Sequence, residues 1–237
     1  MRPPAFSLFS FAASPRIMLA QPKGELVSEE RAKLFDEWAE TYDESVRDRS
    51  GFPFEGYEEV LNTVARLTKA EPGMDVLDLG IGTGKLAERF LAKGCFLWGL
   101  DFSARMLAKA RAKFPGIELV KADLLGDWPL DLDRKFHRVV SGYVLHEFDL
   151  RAKVQLLSRL AGQHLVGGGR IVVGDISFPT VGALVETRES CDVWDDEEHY
   201  WAADEAVAVL HGAGLAVGYE QVSFCGGVYT IEPKQDA

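Results

Sequence analysis

The chain has 237 residues, of which 47% are hydrophobic and 27% are charged, and this is the composition of an ordinary globular domain with some additions. Lysine and arginine number 26 against 37 aspartates and glutamates, so the net charge of −11 argues against a nucleic-acid partner, which needs a basic surface. No apolar run approaches the ~18 residues that span a bilayer, and the three scattered cysteines form no CxxC pair, so we expect a cytoplasmic protein without a membrane span or a disulfide framework.

The first 24 residues differ from the rest of the chain. Residues 1–24 are rich in Pro, Ser, Ala and Phe and show no sustained hydrophobic periodicity, which predicts a disordered tail outside the fold. A targeting segment and a true start at Met18 are the alternatives for this stretch.

Two amphipathic helices are predicted between the tail and the first strand, within residues 25–71. Ser28 is a candidate N-cap for the first helix, with acidic residues in its first turn. The apolar face of this helix consists of Phe35, Trp38, Ala39 and Tyr42. The apolar stripe of the second helix consists of Tyr57, Val60, Leu61, Val64 and Leu67.

The stretch from Met74 to Asp101 has the outline of a β-α-β unit. A short apolar run is followed by Gly80, Gly82 and Gly84, an amphipathic segment and a second apolar run that ends at Asp101. Without a Cβ, the glycines let the chain turn sharply, leave a flat wall for a ligand and let the next helix start close to the sheet. Because Asp101 comes where a carboxylate can accept from ribose hydroxyls, the stretch predicts a nucleoside site.

Beyond Asp101 the chain alternates between helices and strands. Helices are predicted from Ser103 to Phe114, from Asp149 to Leu165 with glycines 167–169 as its end, and from Ala203 to Ala213. Strands are predicted at residues 117–120, 136–141, 170–174, 215–222 and 228–231. Residues 178–200 show no regular pattern. This order predicts an α/β fold with an open, mostly parallel sheet covered on both faces.

Two further residues narrow the choice of nucleoside. Lys85 occupies the position where a dinucleotide fingerprint has its third glycine, which weakens the case for a pyrophosphate. Asp123 ends the third predicted strand, where its carboxylate could accept from an adenine amino group. Two acids beside a sharp turn suit a cationic ligand without phosphate.

Taken together, Asp78-Leu79-Gly80-Ile81-Gly82-Thr83-Gly84, Asp101 and Asp123 resemble the cofactor motifs of class I S-adenosylmethionine-dependent methyltransferases. The resemblance extends over residues 27–232, and residues 34–43 look like the amino-terminal FxxWAxxYD helix of small bacterial members. It implies a Rossmann-like, doubly wound sheet of seven strands, mostly parallel with the last strand antiparallel, in a methyltransferase domain at residues 72–237. Residues 25–71 would then form a helical lid.

The same resemblance implies a set of residues around the cofactor. They are Tyr42, Asp78, Gly80, Gly82, Gly84, Asp101, Phe102, Met106, Asp123, Leu124 and Ser141. Asp78 would hold the ammonium group of S-adenosylmethionine through water, and Asp101 would take the ribose hydroxyls. Phe102 and Met106 would lie against the adenine ring.

The remaining roles carried by the resemblance have structural alternatives. Asp123 with Leu124 would fix the adenine amino edge, and Ser141 would lie beneath the sulfonium. The alternative for Asp101 and Asp123 is that each only caps a following turn. Tyr42 would belong with Trp38 to the lid, and plain core packing is the alternative for both.

Candidate catalytic residues follow the fourth and fifth strands, because ligands in such sheets gather beyond the carboxyl ends. Tyr143, His146 and Glu147 follow the fourth strand, and Asp175 ends the fifth. His146 could act as a general base, with Glu147 as its orienting partner or as a binder of a cationic acceptor. The alternative is that His146 only shapes the pocket at a helix entrance.

Two features of the region before the last helix receive weaker interpretations. His199, Tyr200 and Trp201 could line an acceptor pocket, although packing is the favoured interpretation. The acidic cluster around Asp195 fits no metal-binding spacing such as DxDxDG, so we expect no metal there or elsewhere.

The sequence therefore predicts methyl transfer from S-adenosylmethionine to an oxygen, nitrogen or carbon of a small molecule. Ser141-Gly142-Tyr143-Val144 replaces the Asp/Asn-Pro-Pro-Tyr motif of enzymes that methylate amide or base nitrogens, which argues against DNA, RNA or protein glutamine as acceptor. A non-catalytic cofactor-binding module and a nicotinamide-dependent reductase are the alternatives. The acceptor and the oligomeric state stay open.

Overall fold

A computed structural model describes residues 29–40, 42–46, 51–129 and 132–234. The predicted tail at residues 1–24 and the predicted cap Ser28 lie outside the described residues. The helices are α1 (Glu29–Trp38), α2 (Tyr42–Ser45), α3 (Tyr57–Leu67), α4 (Ala87–Leu91), α5 (Ala104–Lys113), α6 (Leu150–Arg159), α7 (Val181–Ser190) and α8 (Ala203–Gly212). The strands are β1 (Asp75–Leu79), β2 (Phe96–Asp101), β3 (Glu118–Lys121), β4 (Phe136–Gly142), β5 (Leu165–Phe178), β6 (Trp201–Ala202), β7 (Leu215–Gln221) and β8 (Gly226–Pro233).

Seven strands form one continuous sheet in the order β3-β2-β1-β4-β5-β8-β7, and the two-residue β6 pairs with β5 beside this path. Strands β1 to β5 run parallel to one another, whereas β8 is antiparallel to both of its neighbours. The predicted doubly wound, mostly parallel sheet with an antiparallel last strand is confirmed. The strand order reverses between β1 and β4, and ligands of such sheets bind beyond the carboxyl ends at that point.

Helices cover both faces of the sheet, with one buried apolar cluster on each side. Along β1, Val76 joins the cluster under α3 and α4, while Leu77 and Leu79 join the cluster under α6 and α8. This alternation follows because successive side chains of a strand point to opposite faces. Asp78 interrupts the apolar run and is only 1% exposed. Because a buried carboxylate is rare without a partner, we expect Asp78 to serve the site that it faces.

The structure differs from the predicted elements in two places. The helix after Asp149 ends at Arg159 and passes through a π-helical turn, Leu160–His164, into β5, because Leu165 pairs with Phe136. The glycines at 167–169 therefore lie within β5 and do not end the helix. The stretch predicted to be irregular contains α7, which Thr180 caps by accepting from the Ala183 amide at 3.1 Å.

Candidate active site

A cavity of about 340 Å³ lies beyond the carboxyl ends of β1, β2 and β4. The turns after these strands form its floor, and α1 to α3 contribute side chains from the opposite side. The cavity is thus at the point where the strand order reverses, as the topology requires for a nucleoside site.

The turn after β1 departs from ordinary backbone geometry at its glycines. Gly80 and Gly82 have φ angles of +65° and +54°. A Cβ on Gly80 would lie 2.6 Å from a methyl carbon of Val144, so only glycine fits there. A Cβ on Gly82 would meet nothing closer than 4.0 Å, which leaves this part of the wall open to a ligand. Gly84 serves packing, because a Cβ there would approach the Phe114 ring to 2.8 Å.

Asp101 both holds the turn together and faces the cavity. Its carboxylate accepts from the Gly82 amide at 2.9 Å and from the Ser103 amide at 2.8 Å. Each carboxylate oxygen can accept more than one hydrogen bond, so capacity for a ligand remains. Burial raises the pKa of Asp101 to about 6 although these amide bonds favour the charged form.

Asp78 is an unsatisfied acidic group of the site. Its Oδ2 atom is buried and has no hydrogen-bond partner among the described residues, and the side chain lines the cavity. Burial, together with the charge of Asp101, raises the pKa of Asp78 well above its usual range. Because a buried polar group without a partner is costly, a cationic ligand in the cavity would stabilise this arrangement.

The wall beyond β2 contains only part of the predicted adenine site. Phe102, Met106 and Leu124 line the cavity. Asp123 lies outside the wall, and its Oδ1 atom accepts from the Leu125 amide at 2.8 Å. Ser141 also lies outside the wall, fully buried, and its hydroxyl donates to the Leu79 carbonyl at 3.1 Å.

Helices α1 and α2, here called the lid, supply Arg31, Phe35 and Tyr42 to the cavity wall. The Trp38 and Tyr42 rings pack edge to face with centroids 4.9 Å apart, and Phe35 packs in the same way on Phe102 at 5.1 Å. Aromatic side chains of the lid therefore reach both the cavity and the loop after β2.

His146 and Asp175 form a buried pair beside this cavity. His146 Nδ1 lies 2.6 Å from Asp175 Oδ1, and the carboxylate also accepts from the His146, Ile176 and Trp201 nitrogens at 2.9–3.0 Å. Burial disfavours the imidazolium, but the charges of Asp175, Glu198 and Glu147 outweigh burial and raise the pKa of His146 to about 9.

Glu147 joins the lid to the body of the protein. Its carboxylate accepts from Arg31 Nε at 2.9 Å and from Arg31 Nη2 at 2.5 Å, a two-point pair in which both side chains are less than one-third exposed. Glu147 lines the cavity, and its Oε1 atom lies 4.0 Å from His146 Nε2. Both predicted catalytic residues therefore lie together at the end of β4.

Comparison with known proteins decides the family. A family model described as a methyltransferase domain matches residues 76–169. An uncharacterized methyltransferase of Geobacillus sp. strain WCH70 is 34% identical over 200 residues, which cover 79% of this chain and 91% of the relative. The chain belongs to the class I S-adenosylmethionine-dependent methyltransferases. A Geobacillus thermodenitrificans methyltransferase agrees, at 30% identity over 79% of this chain and 90% of its own length.

The fold of the methyltransferase agrees with this assignment. A solved complex of DhpI with SAM and HEP has a TM-score of 0.66 at 19% identity and covers 87% of this chain and 100% of that chain. The cofactor is S-adenosylmethionine, as predicted, and the unsatisfied Asp78 carboxylate and the open wall at Gly82 fit a cationic nucleoside. In the part of the chain that the structure describes, no helix reaches the length and hydropathy of a membrane span.

Several residues of the methyltransferase cavity were not singled out for the site from the sequence. They are Arg31, Tyr57, Leu61, Phe148 and Glu197. Arg31 lies one helical turn before Phe35, so the apolar face of α1 was the available signal for it. Tyr143, which the sequence did suggest, has a φ angle of +56° and a buried hydroxyl without a partner among the described residues. A positive φ angle strains the backbone of a residue with a side chain of this size, and such strain is typical of functional sites.

The segment before α8 is hydrogen-bonded to the buried His146–Asp175 pair. Trp201 is 1% exposed and donates to Asp175, which agrees with the favoured packing interpretation. The His199 amide donates to the His146 carbonyl at 2.7 Å. Tyr200 packs edge to face against Trp194 at 4.6 Å. This segment thereby fixes the turn that carries His146.

Proposed function

We propose that this methyltransferase acts on a small molecule held between the lid and the turn after β4. The observation that carries the proposal is a covered cavity with a buried, unsatisfied carboxylate at Asp78 and titratable groups at His146 and Glu147 near the same wall. Lid side chains cover this space, and the chain is acidic, so a small acceptor is favoured over a nucleic acid. In this proposal residues 25–71 form an amino-terminal helical region that includes the lid, and residues 72–237 form the catalytic domain.

Within the cavity, the two buried acids would hold the polar parts of the cofactor. Asp78 would neutralise its ammonium group, and Asp101 would accept from its ribose hydroxyls while keeping its bonds to the backbone. Phe102, Met106 and Leu124 would enclose the adenine ring.

Four further residues would fix the shape of the turns around the cavity. Asp123 would hold the turn that presents Leu124, and Ser141 would tie β4 to β1 through the Leu79 carbonyl. Gly80 lets Val144 approach the turn, and Gly84 seats the turn on Phe114.

The chemistry asks the protein for position, exclusion of water and, for an acidic acceptor, removal of a proton. S-adenosylmethionine supplies a methyl group on a sulfonium, which is already a good leaving group. The Arg31–Glu147 pair holds the lid over the site, which excludes water from the reacting atoms. His146, oriented by Asp175, is placed to accept a proton once it has released its own to solvent.

Titration of the protein with S-adenosylmethionine in a calorimeter tests the cofactor half of the proposal. Asp78→Asn and Asp101→Asn should each weaken binding about tenfold or more, because each removes a charge-assisted interaction worth about 1.5–3 kcal/mol. Asp75→Asn is the matched control, since Asp75 is a partly exposed acid on the same strand that does not line the cavity.

The acceptor half needs a turnover assay. Formation of S-adenosylhomocysteine is measured with a panel of hydroxyl, amine and carbon acceptors and with tRNA and a protein mixture as macromolecular competitors. A small acceptor that supports turnover confirms the proposal. Turnover with only a macromolecule, or binding that Asp78→Asn and Asp75→Asn weaken equally, would contradict it.

A further inference from the structure

We propose that His146, Glu147 and Glu198 form a site for one divalent transition-metal ion at the acceptor side of the cavity. The role of this ion in catalysis rests on the proposed function, whereas its binding does not. The three side chains come from the turn after β4 and from the segment before β6, which the fold brings together.

The distances suit a shared ion. One nitrogen or oxygen atom from each residue lies within 4.8 Å of the others. His146 Nε2 is 4.0 Å from Glu147 Oε1 and 3.8 Å from Glu198 Oε1. Two metal bonds of about 2.0–2.2 Å at a tetrahedral angle hold their ligand atoms about 3.4 Å apart. Small rotations of the two carboxylates would therefore bring all three atoms to coordination distance.

The imidazole of His146 is presented as a metal-binding histidine is. Its Nδ1 atom pairs with the fully buried Asp175 carboxylate, which fixes the ring and, in the neutral tautomer, leaves the Nε2 lone pair free. His146 is 8% exposed, and among the described residues Nε2 has carboxylate oxygens nearby but no hydrogen bond. A buried ring nitrogen between two carboxylates and backed by a third is the arrangement that metal sites use.

The turn that carries His146 and the segment that carries Glu198 are joined by hydrogen bonds that do not need an ion. The His199 amide donates to the His146 carbonyl at 2.7 Å, and the buried Lys153 ammonium donates to the His199 carbonyl. Glu198 is the residue before His199, so its position follows that of the histidine turn. Each carboxylate already has a partner that would have to share it with the ion. The Arg31 guanidinium pairs with Glu147, and the Tyr200 hydroxyl donates to Glu198.

The donor set indicates the kind of ion and its use. One imidazole and two carboxylates suit borderline divalent ions such as Zn²⁺ and Mn²⁺. An ion bound here would take a hydroxyl oxygen of the acceptor as a further ligand and lower the pKa of that hydroxyl. The hydroxyl proton would leave to bulk water, and the oxygen would keep the electron pair that forms the new bond to the methyl carbon. The bond from that carbon to the sulfonium sulfur would break, and its electron pair would stay on sulfur in the demethylated cofactor. The acceptor would then be an oxygen nucleophile, and the ion, bound to the same Nε2 atom, would replace His146 as the group that activates it.

Calorimetric titration of the metal-stripped full chain with Zn²⁺, and separately with Mn²⁺, tests the site without any acceptor. The wild type should bind one ion per chain, and Glu198→Gln and His146→Ala should each bind it at least tenfold more weakly. Glu189→Gln is the matched control, because Glu189 is an exposed carboxylate on α7, and its binding should equal that of the wild type.

S-adenosylmethionine binding by the same samples separates the possible failures. A variant that still binds the cofactor is folded, so its loss of metal binding is local. Absence of a stoichiometric ion in the wild type, or equal metal affinity in the wild type and Glu198→Gln, overturns the metal site even when the cofactor binds. Metal binding without cofactor binding leaves the site standing and overturns the proposed function.

Discussion

Asp78 and Asp101 are two carboxylates buried in one wall, and the ligand-free protein bears the cost of both. Burial raises the pKa of each, and the charge of Asp101 adds to the shift at Asp78. A cationic ligand reverses this cost, so part of its binding free energy comes from relieving the free protein. The site is thus prepared for a positive charge before any ligand enters.

Cofactor affinity should therefore fall as the pH falls through about 6. Ionised Asp101 accepts hydrogen bonds, and its pKa of about 6 means that about nine-tenths of it is protonated at pH 5. We expect the Kd for S-adenosylmethionine to be about tenfold higher at pH 5 than at pH 7.5 by calorimetry. An Asp101→Asn protein should lose this dependence. An identical pH profile in both proteins would show that another group is responsible.

The same carboxyl has the opposite effect on the stability of the ligand-free fold. Its folded pKa lies above the ordinary aspartate value, so it contributes stability below pH ~4 that is lost as the pH rises through about 6. Low pH therefore stabilises this part of the ligand-free protein, whereas neutral pH favours the cofactor-bound protein.

At the residue scale, the sequence predicts groups that lie within one β-α-β unit. Gly80, Gly82 and Asp101 could be assigned because glycine spacing and a following acid report a local steric need. Arg31 and Glu147 are 116 positions apart, and no local pattern reports that they pair. Asp123 lies two residues after β3, which ends at Lys121, and its neighbour Leu124 is the residue that lines the cavity.

At the scale of elements, the lid is attached largely by polar contacts. Asp36 accepts from the Ser103 hydroxyl at 2.5 Å, and Glu40 pairs with Lys109 at 3.0 Å. The Arg31–Glu147 pair is a partly buried ionic attachment at the cavity itself. Exposed ion pairs contribute little, so the partly buried Arg31 pair should dominate closure of the lid.

Arg31→Gln should speed dissociation of the cofactor about tenfold with little change in Tm. Hydrogen bonds between charged, partly buried groups are worth about 1.5–3 kcal/mol, and this pair acts on the lid more than on the core. Stopped-flow fluorescence of Trp38 in the lid can follow the release. Arg66→Gln breaks an exposed pair with Glu220 and is the control. Equal release rates in both variants would show that the pair does not hold the lid.

The observed helices and strands show which elements a local sequence pattern predicts and which it does not. The stripes of α3 and α8 predict those helices because one face of each is buried. Helix α7 has no buried residue, so it carries no apolar stripe and was not predicted. Helical structure after Asp149 continues to His164, close to the predicted end, but β5 begins at Leu165, before the predicted start at residue 170. The register of β5 against β4, a contact between distant residues, decides where the strand begins.

At the scale of the whole molecule, β1 is an inner strand of the sheet and lies between two packed layers. Leu77 is fully buried in the cluster under α6 and α8, and its neighbours on the strand face the opposite layer. Because helices cover both faces of the sheet, packed side chains hold the walls of a cavity at this position in place.

Leu77→Ala should lower the free energy of unfolding by about 2–5 kcal/mol in urea denaturation. Val193→Ala, at a side chain that is 43% exposed, should change it by less than ~0.5 kcal/mol. Similar losses in the two variants would mean that the described core does not carry the stability of the chain.

The Arg31–Glu147 pair also couples the two ligands of the proposed function. In that proposal Glu147 belongs to the acceptor side and Arg31 to the helix that covers the cofactor, so whatever engages Glu147 changes how firmly that helix is held. By reciprocity, a cofactor that settles the helix must alter the affinity for the acceptor by the same factor. Saturating cofactor should therefore change the Kd of the acceptor, and saturating acceptor the Kd of the cofactor, by one shared factor that calorimetric titrations in either order can measure.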